Sequence, residues 1–196
     1  MRYLKGIGEN MKKSQLMENI MQEISGYAKK IDEAQLDELA AQIVKAGRVY
    51  VAGAGRSGFC ARAFSNRLMH LGLTVYFVGE PTTPAIGKGD LLVIGSGSGE
   101  TASLLAMAEK AREVGAGIAL ITIFPESSIG GYAGTIVKVP GITPKSTLEN
   151  TNQSIQPMGN VFEQLSWILY DAVTIMLMDK LNMSAAEMFT RHANLE

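Results

Sequence analysis

An α/β fold is predicted: a three-layer α/β/α sandwich with a five-stranded parallel sheet of order 2-1-3-4-5, flavodoxin-like, with two N-terminal helices and C-terminal helices. Three observations predict it. Five short apolar runs are continuous rather than alternating, as strands are when both faces of a parallel sheet are covered. Segments of helical period separate most of these runs. The first and third runs each end in a glycine-rich turn that opens into a helical pattern, and in a doubly wound sheet of this order those two strands flank the ligand crevice.

The elements follow in order. Leu16, Ile20, Ile24, Tyr27 and Ile31 step by three or four and make one amphipathic helix. Asp32, with Gln35 three residues on, is placed as the N-cap of a second helix carrying Leu36, Leu39, Ile43 and Val44 and stopped by Gly47. Strand 48–52 comes next, then a helix from about Gly58 to Leu71 ended by Gly72, strand 74–78 and strand 90–95. A helix from Thr101 to Val114, ended by Gly115, precedes strand 117–124, a short helical turn near 127–133 and strand 135–139. After Pro140 the stretch 141–159 is polar and long for an idle connection, which makes it a candidate lid. A helix over 160–181 is apolar on nearly every side and must be buried or packed on another subunit. A short helix begins at Ser184 and closes with Arg191-His192.

Composition narrows the partners. At 196 residues, 46% hydrophobic and 19% charged, the chain can bury a full core as one domain. A net charge of −1 with no basic block argues against nucleic acid or an anionic membrane and favours a small ligand. The single cysteine, Cys60, rules out an internal disulfide framework and fits a reducing compartment. The first residues lack an apolar signal core, and the longest apolar stretch, Trp167 to Met178, is interrupted by Asp171 and falls short of the roughly 20 residues of a membrane span. A cytoplasmic location is expected.

The two glycine loops carry the chemistry. Gly95-Ser96-Gly97-Ser98-Gly99-Glu100-Thr101 offers an anion bare backbone N–H groups, short hydroxyls and a helix N-terminus. Gly53-Ala54-Gly55-Arg56-Ser57-Gly58 stands in the equivalent position after the first strand. Either loop alone is commonly a tight turn with hydroxyl caps; together they favour one phosphate held by Ser57, Ser96, Ser98 and Thr101. Gly55, Gly97 and Gly99 supply backbone, and Arg56 either pairs with the phosphate or covers the loop from outside. Glu100 would repel the anion, so it is expected to turn away and bind backbone or a neighbouring helix. A competing motif is G-x-G-x-x-G at Gly53, Gly55 and Gly58 with Glu80 about 20 residues on, a nicotinamide signature that leaves the second loop without a task.

These loops, with Gly79-Glu80-Pro81-Thr82-Thr83-Pro84-Ala85-Ile86, Gln156-Pro157-Met158-Gly159, Phe162-Glu163-Gln164 and the closing Arg191-His192-Ala193-Asn194-Leu195-Glu196, resemble the 6-phospho-3-hexuloisomerases of the sugar isomerase (SIS) family. The resemblance runs from about Met11 to the last residue, so the expected division is an extension over 1–10 and one SIS domain over 11–196. It implies an isomerase interconverting D-arabino-hex-3-ulose 6-phosphate and D-fructose 6-phosphate through a cis-enediol(ate), in the ribulose monophosphate route of formaldehyde fixation. It implies no redox cofactor and no metal, and the sequence shows no cluster with metal-ligand spacing. A dimer or tetramer is expected. A sugar-phosphate-sensing regulator would use the same loops but would need no base.

Only a few residues can act as that base. Glu163 lies at the start of the long apolar helix among Phe162, Leu165 and Trp167, where a carboxylate loses hydration and becomes better able to accept and return a proton. An acid in a first helical turn is also the ordinary partner of the helix dipole; the resemblance to family members with a catalytic glutamate on a comparable helix tips the reading toward catalysis. His192 is the second candidate, able to shuttle a hydroxyl proton or help open a ring form of the sugar, and is expected to act across a subunit interface, although a terminal histidine is ordinarily exposed. His70 is read as a packed or capping residue, Cys60 as a small buried one, and the methionines 176, 178, 183 and 188 as adaptable packing at an oligomer contact. Asp171 needs a partner that the sequence does not identify.

Overall fold

In the computed structural model, which describes residues 15–144 and 153–195, five strands pair in parallel. They are β1 (Val49–Gly53), β2 (Val75–Phe77), β3 (Leu91–Gly95), β4 (Gly117–Thr122) and β5 (Thr135–Lys138), in the order β2-β1-β3-β4-β5. Register aligns Gly53 with Gly95, so the two glycine loops leave neighbouring strands at the same level.

Strand periodicity divides the core in two. Val49, Val51, Leu91, Val93, Ala119 and Ile121 point to one face, where they meet α2 (Glu33–Lys45), α3 (Gly55–His70) and α5 (Asn160–Lys180). Tyr50, Ala52, Leu92, Ile94, Ile118 and Leu120 point to the other, under α4 (Ala102–Glu113) and Ile129. The helices after β1 and β3 therefore pack on opposite faces, and a crevice opens between the strands that feed them. α1 (Leu16–Ala28) lies against the first face through Ile24 and Tyr27, and α6 (Ala185–Phe189) ends the chain with a capping box on Ser184.

Several local expectations change. Asp32 caps α2 by accepting from Ala34 N–H at 2.9 Å, while Gln35 reaches across to accept from Lys138 N–H at 2.8 Å instead of closing a capping box. The segment near 127–133 is a chain of turns and not a helix, buried at Ser127 and Ile129. The helix after β1 begins at Gly55, three residues earlier than expected, and Gly53 and Gly58 lie backbone to backbone at its start.

α5 is 21 residues long and apolar enough to cross a membrane by composition alone, but half of its most apolar window is buried in the fold. Phe162, Leu165, Leu169, Val173 and Leu177 form its core face; Trp167, Ile168 and Ile175 are exposed. Met176, Met178, Met183 and Met188 pack against the core from its edge, so their task within the chain is filling that margin. Asp171 lies on the exposed side of α5, where water solvates it.

Candidate active site

Three helix N-termini border one cavity at the C-terminal ends of the strands. The first turn of α3 contributes Gly55, Arg56 and Ser57; Thr101 stands at the N-cap of α4; Gly159 and Asn160 begin α5. First-turn N–H groups have no helical partner, and the dipoles place partial positive charge there, so the cavity is suited to an anion. Gly55 takes φ +58°, a conformation that any side chain would strain.

The second loop supplies the hydroxyls. Ser96 and Ser98 are buried, and their oxygens accept from Gly99 N–H and Glu100 N–H, each at 3.2 Å. Acceptance of a turn N–H leaves each hydroxyl proton free to be donated into the cavity. Thr101 makes no side-chain cap bond and lines the same space with Ser57 and Gly97. Gly99 does not line it: at φ +65° it turns against Ser127, where an added Cβ would collide. Its role is to bend the cradle. Glu100 points away as its charge requires, accepting from Ser128 N–H at 2.7 Å.

Glu163 stands in the first turn of α5, opposite the cradle and in the same cavity. The apolar enclosure expected from its neighbours is not what surrounds its carboxylate. Oε2 accepts from Arg56 Nε at 2.5 Å, and Oε1 would lie 3.6 Å from a Cβ built on Gly159. Arg56, read from the sequence as a phosphate partner or an outer cover of its loop, pairs here with Glu163, and its guanidinium is held further toward the charged form by that hydrogen bond. Phe162, adjacent in sequence, is buried in the core and packs under Gly97 at the cavity wall.

Some cavity residues lacked a sequence signal. Asn160, one turn before Glu163 on the same helical face, and Met158, with φ +56°, line it along with Ile142 and Thr143. The three-residue spacing to Glu163 was the available hint for Asn160. Of the expected lid, residues 145–152 lie outside the described residues, as does the proposed extension over 1–10. The remainder, 141–144 and 153–159, borders the cavity from Ile142 to Pro144 and at Met158 and Gly159; Gln156 Nε2 donates to Glu23 and Gln164. Behind the floor, the Tyr170 hydroxyl is buried beneath Gly95 with no hydrogen bond among the described residues, and burial pushes its pKa upward, so it stays protonated.

Two sequence candidates lie elsewhere. His192 is exposed and stacks on His70, with centroids 5.4 Å apart, and on Phe189 at 5.7 Å; it does not line the cavity of Glu163. His70 is buried, and desolvation, then Arg67 and His192, lower its pKa. Cys60 is buried behind the site, donating to the Glu163 carbonyl at 3.4 Å, and burial raises its thiol pKa, which disfavours the thiolate. Glu80 pairs with Arg62 at 2.5 Å, away from the first glycine loop.

Fold and site together define a phosphate-binding α/β protein with one carboxylate poised beside the anion cradle. The SIS domain family model matches residues 42–156. The Bacillus subtilis 3-hexulose-6-phosphate isomerase is 45% identical over 95% of this chain and 100% of its own length. The Mycobacterium gastri 3-hexulose-6-phosphate isomerase is 45% identical over 90% of this chain and 88% of its own. A Methanococcus jannaschii protein whose crystal structure infers the same function superposes with a TM-score of 0.80 at 35% identity, covering 93% of this chain and 99% of that one. The chain belongs to the SIS domain family and, within it, to the 3-hexulose-6-phosphate isomerases. The nicotinamide reading of Gly53, Gly55 and Gly58 is thereby set aside.

Proposed function

We propose that the protein interconverts D-arabino-hex-3-ulose 6-phosphate and D-fructose 6-phosphate in the cytoplasm, with Glu163 as the base, as a step of formaldehyde fixation by the ribulose monophosphate route. The observation that carries this reading is the single cavity shared by the hydroxyl-lined cradle and the Glu163 carboxylate. With the C6 phosphate on Ser57, Ser96, Ser98 and Thr101, the sugar carbons extend toward α5. Glu163 takes the proton from C2, the C2–C3 double bond of the enediol forms, and the oxygen on C3 takes a proton from His192 and becomes a hydroxyl. Glu163 then returns its proton to C3 as the hydroxyl on C2 gives its own back to His192 and becomes the carbonyl. Ile123, Ile142 and Phe162 narrow the water-accessible boundary, which protects the enediol(ate).

The cradle is tested by substitution. Hydrogen bonds to a charged group are worth about 1.5–3 kcal/mol each, so Ser98→Ala with Thr101→Ala raises KM roughly a hundredfold or more. Steady-state assay with hexulose 6-phosphate reads this; an unchanged KM would put the phosphate elsewhere.

In this reading His192 acts from a second subunit, because its own chain holds the ring against His70 and outside the cavity. Support for a homo-oligomer comes from Phe59, Trp167 and Ile168, 70%, 47% and 50% exposed, along an apolar groove that begins at Glu163. Glu163→Gln and His192→Ala, each inactive alone, recover activity when refolded together, since mixed oligomers contain one site with both groups. Absence of recovery would remove His192 from this role.

A further inference from the structure

The ion pair between Arg56 and Glu163 joins residues 107 positions apart and is not needed by either glycine loop. The pair faces two ways. Arg56 is 65% exposed at the start of α3, whereas the Glu163 side chain is 16% exposed inside the cavity. A pair open to water on one side adds at most about 1 kcal/mol to stability. A base displaced by about 1 Å loses on the order of 10²-fold in rate. The larger consequence of this contact is therefore for proton transfer.

We propose that Arg56 is a positioning residue for the base: it ties Oε2 of Glu163, so that Oε1, turned toward Gly159, is the atom that receives the substrate proton. The proposal rests on the reading of Glu163 as the base. Both partners are carried on backbones locked to each other. Phe64 of α3 stacks on Tyr170 of α5 with centroids 4.5 Å apart, and Cys60 Sγ donates to the Glu163 carbonyl at 3.4 Å. The base is fixed at its α carbon by Glu163 N–H donating to Gly159 O at 3.0 Å. Its flexible end is fixed by Arg56. Gly159, without a side chain, leaves the room beside Oε1. The cradle meanwhile has its own donors in three helix N-termini and four hydroxyls, so the guanidinium is not required to neutralise the phosphate.

Arg56→Ala separates this role from phosphate binding. The expected result is a kcat lower by about 10²-fold, with inhibition by inorganic phosphate unchanged. Millimolar guanidinium restores part of the lost rate, since the substrate cavity reaches both positions, and Arg56→Lys retains an intermediate rate. Circular dichroism and melting confirm that the variant is folded. An unchanged kcat overturns the proposal, as does a loss confined to KM and phosphate inhibition, which would make Arg56 a phosphate ligand. Glu163→Gln measured alongside distinguishes the two failures. Wild-type turnover there removes the base and this role with it; an inactive Glu163→Gln beside an unaltered Arg56→Ala overturns only the role of Arg56.

Discussion

Replacing Glu163 by Gln is expected to lower turnover of hexulose 6-phosphate by about 10²–10⁴-fold, the contribution of a positioned general base, while sugar-phosphate binding persists. The amide keeps the shape of the side chain and can still accept from Arg56 Nε, so α5 and the cavity wall are preserved. What it loses is the capacity to take a proton from carbon. The cradle lies across the cavity on α3, α4 and the loop after β3 and does not depend on this group. Equilibrium binding of fructose 6-phosphate by calorimetry, beside the rate assay, reads both halves of the expectation. Unimpaired turnover would exclude Glu163 as the base, and loss of binding without a greater loss of kcat would make it a ligand-holding residue.

Gly58→Ala is expected to damage both stability and substrate affinity. A Cβ at this position would stand 2.7 Å from the Gly53 carbonyl oxygen and 2.9 Å from its carbon. Both are backbone, so no side chain can rotate away. The start of α3 must lift from the end of β1, and overpacking of this kind costs about 1–3 kcal/mol. For a chain of this size each kcal/mol lowers Tm by roughly 2–4 °C. Ser57 and the first-turn N–H groups move with the helix, so KM rises together with the fall in Tm. A variant melting with the wild type and binding normally would show that the backbone yields there without cost.

The same close approach explains why the first loop reads like a dinucleotide fingerprint. Gly53 and Gly58 are required because strand and helix touch, and Gly55 because its φ is +58°. These demands belong to any tight strand-to-helix turn at a switch point, whichever anion it serves. Sequence patterns register the backbone requirement, and only the neighbouring loop, with Ser96, Ser98 and Thr101, narrows the ligand. The helix start was less legible: the expected start at Gly58 falls one turn inside the helix, which begins at Gly55 with φ +58°.

By itself the sequence determined the strand order, the two faces of the sheet, the pairing of the glycine loops and the candidacy of Glu163. The first three depend on short-range rules, the period of apolar residues and the needs of a turn, and the candidacy of Glu163 on the resemblance of Phe162-Glu163-Gln164 to the family. Tertiary structure decided the rest. It set the Glu163 carboxylate on Arg56 instead of in an apolar pocket, brought Asn160 to the cavity, turned Gly99 away from it and stacked His192 on His70. These outcomes depend on how α3 packs against α5 and where the chain end docks. Such contacts join residues far apart in sequence, and no local pattern encodes the distance between them.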